Sequence, residues 1–115
     1  MINIQGCNVT IMVTNMDNAI KFYRDTLGFN LKHRYGDHWA DIEGPGIAIG
    51  LHPAGKDVKI GDNLSMGFRV KDLKEAVEAL KQKGVQFKML DDTQVKLASF
   101  TDPDGNSLYL AQAEQ

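Results

Sequence analysis

Apolar residues recur along the chain with two periods, and both halves of the chain show the same succession of periods. Residues 8–13 and 65–70 alternate between apolar and polar side chains, which predicts a strand at the start of each half. Each strand is followed by apolar residues at helical spacing, up to Gly28 in the first half and Gly84 in the second, where glycine favours the end of a helix. Three strand-like segments follow in each half, so the pattern predicts the element order βαβββ twice.

Polar residues, glycine and proline indicate where the remaining elements begin and end. Asn15 or Asp17 can cap the first helix, and Asp72 can cap the second. Residues 102–106 (Asp-Pro-Asp-Gly-Asn) form a strong turn signal. We expect the later strands over residues 29–35, 38–42 and 47–52 in the first half, and over residues 85–89, 95–101 and 107–111 in the second.

The two halves are related by an internal repeat. Val13 matches Val70 at an offset of 57 (70 − 13), and Gly28 matches Gly84 at an offset of 56 (84 − 28), so the second copy lacks one residue in between. Self-similarity of this length implies two copies of one supersecondary unit. We expect a single domain over residues 1–115, with module one over about 1–52, a linker over 53–63 and module two over about 64–115.

Composition and charge narrow the class of protein. The chain has 115 residues, of which 43% are hydrophobic and 24% charged, and a formal net charge of −2. These values are ordinary for a globular protein and offer no general attraction to nucleic acid or anionic membranes. No apolar run reaches the length of a membrane span, the N-terminus lacks the features of a signal peptide, and Cys7 is the only cysteine. We therefore expect a cytoplasmic protein without nucleic-acid or membrane partners.

Two motifs carry a resemblance to a known family. Residues 19–23 (Ala-Ile-Lys-Phe-Tyr) are followed by Leu27-Gly28-Phe29, and residues 102–106 stand directly before the last strand. With the internal repeat, these motifs resemble the vicinal oxygen chelate (VOC) superfamily, which includes glyoxalase I, bleomycin-resistance proteins, fosfomycin-resistance enzymes and extradiol dioxygenases. The resemblance implies an α+β fold in which two tandem βαβββ modules form curved mixed sheets around a cavity. It also implies a homodimer, since small members of the family commonly pair their modules across two chains.

The resemblance also indicates where the enzymes of this family bind a divalent metal ion. Those positions lie on the first and last strand of each module, and they fall on Asn8 and Gly50 in the first module and on Ser65 and Tyr109 in the second. The family's usual ligands are His, Gln or Glu, because imidazole nitrogen and carboxylate oxygen suit zinc, nickel, iron and manganese. Glycine has no side chain, and asparagine, serine and tyrosine are poor or uncommon ligands. We therefore expect no metal ion and no cofactor.

The polarity of the strands tests this register independently. If the four metal-equivalent residues face the cavity, the opposite face carries the apolar residues that a sheet needs under its helices, and a shift by one residue would reverse the two faces. The predicted helix-facing set is Val9, Ile11, Val13, Ile47, Ile49, Leu51, Phe68, Val70, Leu108 and Leu110. The predicted cavity-facing set is Asn8, Thr10, Met12, Ala48, Gly50, His52, Ser65, Gly67, Arg69, Ser107, Tyr109 and Ala111, with Trp39 and Asp41 beside them.

Two ionisable residues of the cavity-facing set have more than one interpretation. His52 can act as a base or bind a ligand, since imidazole changes charge near neutral pH, but a histidine beside Pro53 at a strand end is more often a hydrogen-bonded structural group. Arg69 can clamp a ligand carboxylate or phosphate, or it can form a buried ion pair, for example with Asp41. If the cavity is functional, we expect an aromatic or planar anionic ligand near Trp39, with Arg69 and His52 as polar anchors.

Other side chains also have a structural and a functional interpretation. Trp39 can stack on a flat ligand or belong to the core or a dimer interface, and Tyr109 can donate a hydrogen bond to a ligand or simply fill space. Phe22 and Tyr23 are at helical spacing and predict core positions. Cys7 has the parity of the helix-facing set, which predicts an inert buried thiol.

Three classes of function remain. We favour a metal-free small-molecule-binding protein similar to the bleomycin-resistance branch, which would hold an aromatic or amphipathic ligand in a dimer cavity. The alternative is a glyoxalase-like metal-dependent lyase or dioxygenase with non-standard ligands, and a third class is a metal-free enzyme that uses His52 or Tyr109 for proton transfer. The sequence identifies no catalytic residue. The predicted ligand-binding residues are Asn8, Met12, Trp39, Gly50, His52, Ser65, Arg69 and Tyr109.

Overall fold

The computed structural model describes residues 3, 5, 7–56, 64–92 and 95–112. The chain divides into two compact units, Met1–Val58 and Lys59–Gln115. Each unit has one helix and one four-stranded mixed sheet in the chain order βαβββ. The predicted α+β fold with a repeated βαβββ unit is therefore confirmed.

In the first unit, the helix connects the two edge strands of the sheet, which are the first and second strands along the chain. The elements are β1 (Val9–Val13), α1 (Met16–Lys21) with a π-helical continuation (Phe22–Thr26), β2 (Asn30–Tyr35), β3 (Trp39–Gly44) and β4 (Ile47–Pro53). The order in the sheet is β1-β4-β3-β2, where β1 is parallel to β4 and the other neighbours are antiparallel.

The second unit repeats this topology. Its elements are β5 (Ser65–Val70), α2 (Leu73–Gln82), β6 (Lys88–Asp92), β7 (Val95–Thr101) and β8 (Ser107–Gln112), in the sheet order β5-β8-β7-β6. Again the first and last strands of the unit are parallel. The strand expected from residue 85 begins at Lys88 instead, because the Val85 N–H donates to the Leu80 carbonyl and so completes the end of α2.

Each helix covers one face of its sheet, and that face is apolar. The buried residues include Ile11, Val13, Ile49 and Leu51 in the first unit and Leu108 and Leu110 in the second, as the alternation predicted. The helices contribute Met16, Ala19, Ile20, Tyr23, Leu73 and Val77 to these two cores. Phe22, which was also expected in the core, is half-buried.

The prediction for Cys7 is wrong. The Cys7 thiol is free and exposed, whereas strand parity predicted that it would be buried. Regular strand structure begins only at Val9, so the alternation of faces does not extend back to this residue.

Side-chain caps start both helices. Asn15 Oδ1 accepts a hydrogen bond from the Asn18 N–H at 2.9 Å, so Asn15 rather than Asp17 is the first cap. In the second unit Asp72 Oδ1 accepts from the Glu75 N–H at 3.0 Å, as predicted.

The first helix contains one residue more than the second, and a π-helical turn accommodates it. The first helix closes with a hydrogen bond from the Phe29 N–H to the Tyr23 carbonyl, and the second with one from the Val85 N–H to the Leu80 carbonyl. The first bond spans six residues and the second five, which equals the one-residue difference between the two copies in the sequence. A one-residue insertion in a helix is commonly absorbed as a π-bulge, which places Phe22–Thr26 at the insertion.

A buried carboxylate organises the turn between β7 and β8. Asp102 is only 3% exposed. Its Oδ1 accepts from the backbone N–H groups of Asp104 and Asn106 at 2.9 and 2.8 Å, and its Oδ2 accepts from Asn106 Nδ2 at 2.8 Å. Three donors compensate the desolvation of this group, and Gly105 takes the positive φ of +84° that the turn requires.

Candidate functional site

The predicted ligand-binding residues lie on the sheet faces that the helices leave uncovered, and each unit has its own set. In the first unit, Asn8 directly precedes β1, Met12 lies on β1, Trp39 on β3, and Gly50 and His52 on β4. In the second unit, Ser65 and Arg69 lie on β5 and Tyr109 lies on β8.

In the first unit, the Trp39 side chain packs against the backbone of the neighbouring strand β4. The six-membered ring of the indole occupies the space that a β-carbon at Gly50 would take. The indole Nε1–H donates a hydrogen bond of 2.6 Å to Asp41 Oδ1. Trp39 and Asp41 are both half-buried, whereas Ala40 and Ile42 between and beyond them are buried in the core. The glycine and the carboxylate together fix the position of the indole.

His52 lies next to this indole at the end of β4. The two ring centroids are 6.2 Å apart with planes at 73°, which is an edge-on arrangement. The Nδ1 of His52 is 2.8 Å from the carbonyl oxygen of Pro53. Because a carbonyl can only accept, this contact places a proton on Nδ1 and leaves Nε2 of the neutral ring as an acceptor. The histidine is thus hydrogen-bonded to the backbone, and the residue is exposed.

The second unit has a different arrangement on its uncovered face. The Tyr109 ring occupies the space above Gly67, which is opposite it in the β5–β8 register. Ser65 and Ser107 are also opposite each other, with their hydroxyls 3.4 Å apart. Arg69 is exposed, so the buried ion pair considered for it does not fit the structure.

The residues at the family's metal positions do not fit a divalent ion. In the first unit, the Trp39 ring fills the space into which a ligand at Gly50 would project, and the Asn8 amide donates to the Thr10 hydroxyl at 3.4 Å. In the second unit, Ser65 offers only a hydroxyl, a weak ligand for such ions. Among the described residues, no three His, Cys, Asp or Glu side chains come together as a metal-binding group.

Two residues make contacts that the hydrophobic pattern does not predict. Asp41 was placed on the correct face, but its hydrogen bond to the indole was not foreseen. Gly67 was assigned to that face without a role, although a glycine inside a strand often marks close approach by another group. Applied to Gly50 and Gly67, that signal identifies both positions against which the aromatic rings pack.

A small pocket beside the start of α1 is separate from these residues. It measures about 190 Å³, below the roughly 300–1,000 Å³ of pockets for drug-sized ligands. Two of its lining residues, Asp17 and Asp37, accept hydrogen bonds from Arg34 Nη2 at 2.7 and 2.9 Å. These bonds raise the pKa of Arg34 above its usual value. The guanidinium bridges the two carboxylates and so links the start of α1 to the β2–β3 turn.

Fold and site together define the class: an α+β protein with two βαβββ units, each with a helix-covered face and a face carrying aromatic and polar side chains. The sequence matches the model of the Glyoxalase/Bleomycin resistance protein/Dioxygenase superfamily over residues 8–110, and the chain belongs to this superfamily. An uncharacterized protein from Mycolicibacterium smegmatis is 31% identical over 102 residues, which cover 87% of this chain and 86% of the relative.

Solved structures share the fold at low sequence identity. TnmS3, an antibiotic binding protein from Streptomyces sp. CB03234, superposes with a TM-score of 0.76 at 24% identity and covers 97% of this chain and 100% of its own. A bleomycin-binding protein solved in complex with bleomycin has a TM-score of 0.74 at 21% identity, with 96% and 100% coverage. A glyoxalase family protein from Bacillus anthracis reaches 0.79 at 18% identity, with 99% and 100% coverage. None of the helices in the described part of the chain is long and apolar enough to cross a membrane.

Proposed function

We propose that this protein binds an aromatic or amphipathic small molecule without a metal ion. The observation that carries the proposal is the packing of Trp39 against Gly50, with Asp41 and His52 beside the indole. A large, half-exposed aromatic surface fixed by a few polar groups is the usual composition of a small-molecule site. The superfamily contains binding proteins as well as enzymes, and the antibiotic-binding and bleomycin-binding structures share this fold.

A binding role fits the residues better than a metal-dependent reaction does. A glyoxalase-like lyase or dioxygenase needs a Lewis acid held by several protein ligands. Gly50 supplies no ligand, and the indole of Trp39 takes the space that one would need. A metal-free proton transfer through His52 would have to use Nε2, since Nδ1 is hydrogen-bonded to Pro53.

The proposal includes a homodimer that encloses the ligand. The face that carries Trp39, Met12 and Tyr35 is not covered by α1, and the Tyr35 side chain is 58% exposed. A second copy of the chain can cover apolar surface of this kind, and two-fold pairing is the commonest closed arrangement of protein subunits.

Ligand titration tests this function directly, because Trp39 is the only tryptophan in the chain. Its indole Nε1–H gives a single tryptophan side-chain signal in a ¹⁵N–¹H NMR spectrum. We expect aromatic compounds to shift this signal saturably, before and after treatment with a chelator, in a sample whose mass by light scattering is that of two chains.

A matched pair of variants identifies the residue that holds the ligand. Trp39→Leu should abolish binding measured by calorimetry. Phe22→Leu, which removes a half-buried aromatic ring from the helical segment on the other side of the sheet, should leave it nearly unchanged. Equal loss in both variants, or binding that disappears with the chelator, would contradict the proposal.

A further inference from the structure

The Trp39, Asp41 and His52 side chains of the first unit form what we call the indole corner. Its polar atoms are nearly all acceptors. The indole Nε1–H is the one donor fixed by geometry, and Asp41 already accepts it at 2.6 Å. The Asp41 carboxylate has further acceptor capacity, and His52 offers Nε2 once Nδ1 is bound to the Pro53 carbonyl. A ligand at this corner must therefore supply the hydrogen-bond donors.

Within the described part of the first unit, no ion pair compensates the negative charge of the carboxylate in the indole corner. Two residues further along the same strand, Glu43 has an ion pair with Lys32 at 3.7 Å. Asp41 has no ion pair within the described part of its own unit, although it is less exposed than Glu43. Across the sheet it faces His33, whose exposed ring lies beside Tyr35, with centroids 6.3 Å apart. Partial burial strengthens the attraction of Asp41 for a positive group relative to an exposed carboxylate.

The aromatic ring favours the same sign of charge. Among aromatic side chains, the indole face attracts cations most strongly, through its quadrupole. Asp41 polarises the indole through the Nε1–H bond, and hydrogen bonds in such chains reinforce one another. Ring and carboxylate are held together by one hydrogen bond, so both can contact a single ligand group.

We propose that the indole corner recognises a planar, positively charged nitrogen group, such as a protonated aminoheterocycle. This deepens the proposed function and rests on it. It also reverses the charge that the sequence alone suggested near Trp39, where an anionic ligand was expected with Arg69 and His52 as anchors. In the first unit, an anionic ring on Trp39 would meet the Asp41 carboxylate, and like charges at close range repel.

Three probes of similar shape and different charge test the proposal. They are 4-aminoquinoline, which is protonated at neutral pH, quinoline, which is neutral, and quinoline-4-carboxylate, which is an anion. Each is titrated into the intact protein at neutral pH while the Trp39 indole signal is followed by NMR. We expect the cation to bind about tenfold more tightly than quinoline, a preference of the size that one charge-assisted contact confers, and the carboxylate to bind most weakly.

Two variants assign this preference to one carboxylate. Asp41→Asn keeps an oxygen that can accept the indole hydrogen bond but removes the charge, and it should reduce the cation preference to near unity while quinoline affinity stays the same. Glu43→Gln removes the same charge from the same strand, two residues away and from an exposed position, and it should retain the preference. The indole signal of each free variant shows whether Trp39 has kept its place.

Each result has a definite meaning. If quinoline binds as tightly as the cation in the unmodified protein, or the anion binds best, the charge inference is wrong while small-molecule binding stands. If Glu43→Gln and Asp41→Asn weaken the cation equally, the preference comes from general surface charge and the inference again fails. If none of the probes shifts the indole signal, both the inference and the proposed site at Trp39 are contradicted.

Discussion

The two units share one fold, and in each an aromatic ring packs over a glycine at the same place on the sheet. The strands that supply the glycine and the ring differ between the units. Thr10 on β1 and Gly67 on β5 are equivalent in the repeat (67 − 10 = 57), and they pair with Gly50 on β4 and Tyr109 on β8, respectively. The glycine thus lies on the last strand of the first unit and on the first strand of the second. A different strand, β3, supplies the ring in the first unit. In both units an aromatic ring therefore fills the space above this point of the sheet, but the strand that supplies the ring differs.

Among the side chains that the structure describes, the charged groups on the uncovered faces also differ between the units. The first unit places the Asp41 carboxylate beside its aromatic ring. The second unit places Arg69 on β5, the strand whose Gly67 lies under the Tyr109 ring. It also places Lys88 opposite Ser99 in the β6–β7 register. The repeated fold thus carries different charged groups in its two copies, so function has to be sought where the copies diverge.

The turns between the last two strands of each unit show a third contrast. β3 and β4 are joined through Pro45 and Gly46 alone. β7 and β8 are joined by the longer segment 102–106, which is organised around the buried Asp102 carboxylate. The longer connection needs an internal acceptor because its backbone N–H groups lack ladder partners.

Asp102→Ala should have the largest effect on stability. It would leave the N–H groups of Asp104 and Asn106 and the Asn106 amide without their acceptor, and buried unsatisfied donors are costly. We expect the free energy of unfolding to fall by about 3 kcal/mol, measured by urea denaturation. Pro103→Ala, an exposed change in the same turn, should cost less than about 1 kcal/mol through the entropy of the unfolded chain. Similar losses in the two variants would show that the carboxylate does not organise this turn.

Single-residue deletions in the two helices should differ in their cost to stability. Removing Glu78 from α2 would rotate all following residues by about 100°, which takes the half-buried Leu80 off the sheet. We expect a loss of about 2 kcal/mol or more, the lower range for a core leucine. Removing the exposed Asp25 would convert the π-helical turn to α-helix and shorten the Phe29–Tyr23 closure to the length found in α2.

The Asp25 deletion should therefore cost only about 1 kcal/mol, near the net value of one hydrogen bond. Urea denaturation of the two deletion variants measures the difference, and circular dichroism checks that helix content is kept. If the Asp25 deletion is the more damaging of the two, the extra residue of the first copy does not lie in the π-helical turn.

Sequence periodicity predicted the parts of this structure that depend on burial. The alternation in β4 fixed which face Ile49 and Leu51 occupy, because one face must be apolar for the helix to pack on it. The same rule failed for Cys7, since parity has meaning only inside a strand. The indole hydrogen bond of Trp39 was beyond sequence reasoning, because it depends on a side-chain rotamer and on the pairing of β3 with β4, neither of which the hydrophobic pattern specifies.

Alanine at Gly50 and at Gly67 tests the contrast between the two aromatic rings most directly. Gly50 is buried, and the ring above it is held by Asp41, so a β-carbon must displace an anchored side chain. We expect Gly50→Ala to cost about 1–3 kcal/mol, as overpacking does, and to shift the Trp39 indole signal as its hydrogen bond is lost. Gly67 is exposed, and the tip of Tyr109 can swing away, so Gly67→Ala should cost less than about 1 kcal/mol and leave the indole signal in place. Urea denaturation and ¹⁵N–¹H NMR of both variants measure these effects. An equal cost at the two positions would mean that Asp41 does not hold the indole, and that the rings of the two units are equally free to move.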